Sequence, residues 1–93
     1  MLRITTRHDG STVVLRLEGR LRGPWVAELR ECWRRAREAP GHTRIRLDLV
    51  DVPVVDAAGK ALLGRIHRAG VELRAHGCLT KAICDEIVAG RRR

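Results

Sequence analysis

The sequence predicts a single α/β domain of order β-β-α-β-α-β-α, with a mixed, mostly parallel sheet and its helices on one face. Three observations predict it. Stretches in which apolar and polar residues alternate are interleaved with stretches of helical period, as in strands joined by crossover helices. Breaks rich in glycine and proline fall between the two kinds of stretch. Finally, the strands carry a charge at nearly every second place, whereas a parallel sheet covered on both faces has nearly continuous apolar strands. The layering is therefore two: helices against one face of the sheet, charges and water on the other. At 93 residues the chain fits one domain, expected over residues 1–90, with a basic tail at 91–93.

Each element has its own warrant. Leu2 to Arg7 alternates, His8-Asp9-Gly10-Ser11 supplies turn chemistry, and Thr12 to Gly19 alternates again with Val13, Leu15 and Leu17 on one face. Two such runs around an Asp-Gly turn read as an antiparallel hairpin. After Gly23 the period changes: Pro24 suits a first helical turn, and Trp25, Leu29, Cys32, Trp33 and Ala36 form one apolar stripe. Ala39-Pro40-Gly41 ends that helix, and Thr43 to Leu49 follows as a strand with Ile45, Leu47 and Leu49 facing inward. Asp56 is placed to cap a helix running to about Ala69, with Ala58, Leu62, Ile66 and Ala69 as its buried stripe and Gly70 as its stop. Val71 to His76 is a further strand. Leu79 to Val88 is a last helix burying Leu79, Ala82, Ile83 and Ile87. Arg16, Glu18, Arg44, Arg46, Asp48, Glu72, Arg74 and His76 are expected on the open face.

Composition narrows the function classes. Phe and Tyr are absent, so Leu, Val, Ile and Ala must build the core. The net charge of +8 is spread from Arg3 to Arg93 with no dense internal block, and no recognised motif turns it into a nucleic acid footprint. The chain also lacks the interleaved aromatics that stack bases. Cys32, Cys78 and Cys84 are odd in number and form no CxxC pair, which points to reduced thiols and a cytoplasmic location. No apolar run approaches a membrane span, and the N-terminus has no signal-like apolar region. His8, His42, His67 and His76 are dispersed without metal-ligand spacing, Ser11 is the single serine and sits in a turn, and there is no phosphate-binding GxxxxGK[ST] loop. A nucleophile, its base and a pocket are thus all missing from the pattern, so neither an enzyme nor a cofactor is expected.

The segments Leu17-Glu18-Gly19-Arg20-Leu21, Ile45-Arg46-Leu47-Asp48-Leu49 and Val55-Asp56-Ala57-Ala58-Gly59-Lys60-Ala61-Leu62-Leu63 together resemble the STAS domain, the family of anti-sigma factor antagonists. Val71-Glu72-Leu73 and the helix from Leu79 to Gly90 extend the match over nearly the whole chain. The resemblance implies a non-catalytic, protein-binding module whose partner is an anti-sigma factor or a related ATPase-like regulator. It places the contact surface on Val54, Asp56, Ala57, Ala58, Gly59 and Lys60. In the antagonists the residue after the motif aspartate is a serine or threonine phosphorylated by a partner kinase. Here it is Ala57, followed by Ala58, and neither has a hydroxyl to phosphorylate. Many antagonists also continue past the third helix with another strand and helix. This sequence ends at Arg93, so the Val71 strand is expected at or near an open sheet edge, where pairing with a second copy could give a homodimer. Similarly short STAS subunits serve bacterial phospholipid-transport ABC systems, which makes an ABC transporter ATPase the alternative partner.

Overall fold

A computed structural model describes residues 1–42 and 44–91, with the backbone alone at 78–80, 90 and 91. The elements are β1 (Leu2–Asp9), β2 (Thr12–Leu21), α1 (Pro24–Glu38), β3 (Arg44–Val55), α2 (Ala57–Arg68), β4 (Glu72–Ala75) and α3 (Cys78–Arg91). They form one four-stranded sheet in the order β1-β2-β3-β4. β1 runs antiparallel to β2, while β2, β3 and β4 are mutually parallel. The expected element order and mixed sheet are both present, and β4 lies at the edge of the sheet among the described residues.

Alternation decides which face is buried. Val13, Leu15 and Leu17 of β2 stand beside Ile45, Leu47 and Leu49 of β3, and all six point to the helical side. Val26, Leu29, Trp33 and Ala36 of α1, Leu62, Leu63 and Ile66 of α2 and Cys84 of α3 close the same core. Leu15, Leu17, Leu47, Leu49, Leu29, Leu63 and Ile66 have no exposed surface. Burying each such side chain contributes about 1.5–3 kcal/mol, which is how a core without Phe or Tyr holds.

The opposite face is charged, and each of its three parallel strands neutralises part of its own charge. Arg16 pairs with Glu18 at 3.2 Å, Arg46 with Asp48 at 3.0 Å and Arg74 with Glu72 at 3.3 Å, all two residues apart on one strand. Arg46 and Asp48, expected in water, are 16% exposed in their side chains.

The structure departs from the sequence expectations in several places. β3 does not end at Leu49 but continues to Val55 (the expected start at Thr43 lies outside the described residues). Its pairing with β2 shifts twice, so that Glu18 faces Asp51 and Arg20 faces Val54. Extra residues on β3 at these bulges break the alternation, and Pro53, which has no N–H to donate, is tolerated at the second. β2 reaches Leu21 because Gly19, at φ 114°, bends the strand around the chain start, where Arg20 N–H donates to the Met1 carbonyl. The buried stripes also shift. Ala58, Ala69 and Ala82 are exposed, while Val26, Gly59, Leu63 and Cys84 take buried places. Helix α3 spans Cys78–Arg91, longer at both ends than the expected Leu79 to Val88. Burial of the Leu79 side chain lies outside what is described.

Candidate partner-binding site

Parallel strands β2 and β3 end on the same edge of the sheet, so the loops that follow them are neighbours. In doubly wound α/β sheets ligands are received outside the carboxyl ends of the strands. Leu21 leads to Arg22, Gly23 and α1, and Val55 leads to Asp56 and α2. A bond from the Asp56 N–H to the Leu21 carbonyl, 3.1 Å, ties the two strand ends together.

Asp56 then organises both helix starts. Its Oδ1 accepts from the Gly59 N–H at 2.7 Å, the capping geometry expected from the sequence. Its Oδ2 accepts from the Gly23 N–H at 2.9 Å, thirty-three residues away along the chain. Gly23 is the residue before α1 and holds φ 58° and ψ −134°, a backbone conformation that glycine adopts without strain. One carboxylate thus satisfies amides at two helix N-termini. The Gly23 amide, then the Gly59 amide, holds the Asp56 carboxyl below its ordinary range.

Gly59 is required by space. A Cβ there would lie 2.9 Å from the Leu21 carbonyl oxygen and 2.9 Å from Val55 Cγ1. The first turn of α2 therefore sits directly on the ends of β2 and β3, and the Asp-x-x-Gly spacing supplies both the cap and the gap.

This anchoring leaves Ala57 and Ala58 exposed at the α2 N-terminus, beside exposed Pro53 and Val54. At 37% relative exposure, Val54 is one of two exposed large apolar residues among those described. Arg22, Gly23 and Pro24 are exposed across the Asp56 bridge. Lys60 is not free: its Nζ lies 3.7 Å from Glu86 Oε2 on α3. The result is a small, nearly uncharged apolar edge, with Arg22 on one flank and the Lys60–Glu86 pair on the other. Of the six residues singled out in the sequence, Val54, Ala57 and Ala58 are available to a partner. Asp56 and Gly59 build the edge, and Lys60 borders it. Sequence reasoning missed Arg22, Gly23 and Glu86. Gly23-Pro24 after a strand parallel to β3 was the signal that could have placed the first two here.

A one-layered helical cover on a mixed four-stranded sheet, with a capped, glycine-gated helix start at its carboxyl edge, defines a small α/β domain. The STAS domain family matches residues 3–81, and the chain belongs to that family. STAS domains are generally non-catalytic modules that mediate protein–protein interactions. No curated protein matches the chain significantly. Among the described residues, no helix is long and apolar enough to cross a membrane.

Proposed function

We propose that this chain is a non-catalytic interaction module that binds an anti-sigma factor or a related ATPase-like regulator through the edge formed by Pro53–Lys60 and Arg22–Pro24. The observation that carries the reading is the exposed Ala57-Ala58 step, held at the first turn of α2 by Asp56. A phosphate at this position would put about two negative charges at a helix start and so alter charge and bulk at the contact. Alanine has neither effect, so the edge is always in its binding-competent form unless regulation acts elsewhere. Such partners are cytoplasmic, and the proposal places the chain there too.

The test is affinity capture from the native lysate with wild type and Ala57→Glu, followed by mass spectrometry. Glutamate in the first turn suits the helix dipole, so the variant keeps its fold while the edge gains a charge. The expected result is an ATPase-fold regulator retained by wild type and lost by Ala57→Glu. An ABC transporter ATPase lost in the same way would keep the site and change the partner class. Equal retention by both proteins, or capture of nucleic acid alone, would overturn the reading.

A further inference from the structure

The open face of the sheet holds a feature that its charges conceal. Val14 points away from the core, is not part of the core cluster, and is nevertheless 1% exposed. Strand register gives the reason. Its cross-strand neighbours are Arg7 on β1 and Arg46 on β3, and Thr12 and Arg16 flank it on its own strand. Aliphatic stems of arginines cover such a residue while their guanidinium groups stay in water. The concavity beside it, about 370 Å³, has Val14 and half-buried Val50 as apolar floor and Arg7, Arg16, Asp48 and His76 on its walls. It crosses the sheet from β1 to the residue after β4.

Charge on these walls is unevenly committed. Asp48 is held by Arg46 through bonds of 3.0 and 3.5 Å, and Arg16 is engaged by Glu18. Among the described residues, the Arg7 guanidinium and the His76 ring have no hydrogen-bond or ion-pair partner, and they stand at opposite ends of the apolar floor. We propose that this concavity binds a small amphiphilic anion, a carboxylate or phosphate monoester on a short apolar body. The uncommitted donor at one end receives the head group, and the valine floor receives the body. The volume lies at the lower end of the range for small-molecule sites. The face carries no Phe, Tyr or Trp side chain on which a nucleic acid base could stack. β2 and β3 run from this floor directly to Leu21 and Val55 beside Asp56, so an occupant would touch the strands that position the carboxyl edge. The proposal does not depend on what docks at that edge.

The experiment is a titration of the full ¹⁵N-labelled chain, followed by amide shifts, with hexanoate and hexyl phosphate as probes and acetate and 1-hexanol as controls. Either probe should give saturable shifts at Arg7, Val14, Arg16 and Val50, and the tighter one identifies the head group. Of Arg7→Gln and His76→Gln, both exposed and outside the core, the one at the head-group end should weaken binding about threefold to tenfold at unchanged thermal midpoint. Acetate and hexanol should each bind more weakly than the probe that combines their features. Absence of shifts at these residues with both probes, parity between a probe and either control, or unaltered affinity in both variants would each overturn the proposal.

Discussion

Asp56 and Gly59 show how two residues can fix an edge made from four elements. The carboxylate draws Gly23 and Gly59 toward itself, and the missing Cβ at Gly59 lets α2 settle against Leu21 and Val55. Gly59→Ala would force backbone apart, because one of the clashing atoms is the Leu21 carbonyl oxygen. The expected loss is about 1–3 kcal/mol, read from the urea midpoint. Titration of Asp56 has a definite sign. Its folded value lies below the ordinary 3.8, so its contribution is complete above that pH and is lost as pH falls through the lowered value. The stability difference between wild type and Asp56→Asn should therefore be constant near neutrality and shrink below pH 3.8. A difference that stayed flat to lower pH would remove the Gly23 and Gly59 bonds from the account.

Among the elements, legibility followed regularity. The hairpin, α1 and the cap of α2 were readable because an Asp-Gly turn, Pro24 and Asp56 each report a local backbone requirement. β3 was readable only as far as Leu49. Beyond it, the bulged pairing with β2 puts Val52 in the core, where alternation continued from Leu49 would put it on the open face. The stripe of α2 was misjudged because Ala58 and Ala69 are small enough for either environment, and Gly59 is buried for want of a side chain. Non-local contacts such as Gly23 to Asp56 and Lys60 to Glu86 leave no periodic trace at all. The intra-strand ion pairs were equally invisible in their differences, and these can be measured. Asp48→Ala would leave the Arg46 guanidinium largely enclosed without its partner and cost about 1–3 kcal/mol. Glu72→Ala, whose side chain is 57% exposed, should change stability by no more than about 0.5 kcal/mol. Equal effects in chemical denaturation would refute the distinction.

At the scale of the molecule, one sheet serves two different surfaces. Its helical side is consumed by the core, and its charged side stays open because Arg, Asp and Glu recur at most of the outward strand positions. The carboxyl edge is where the chain can present a small apolar surface without exposing that core. If a partner docks there, as proposed, the alanines at positions 57 and 58 give that contact no phosphorylation switch. The most direct test is hydrogen–deuterium exchange of the chain alone and bound to the partner retained by wild type. The account predicts added protection at residues 21–24 and 52–62, with the open sheet face unchanged. Protection confined to the open face or to the β4 edge, with residues 52–62 exchanging as in the free chain, would contradict it.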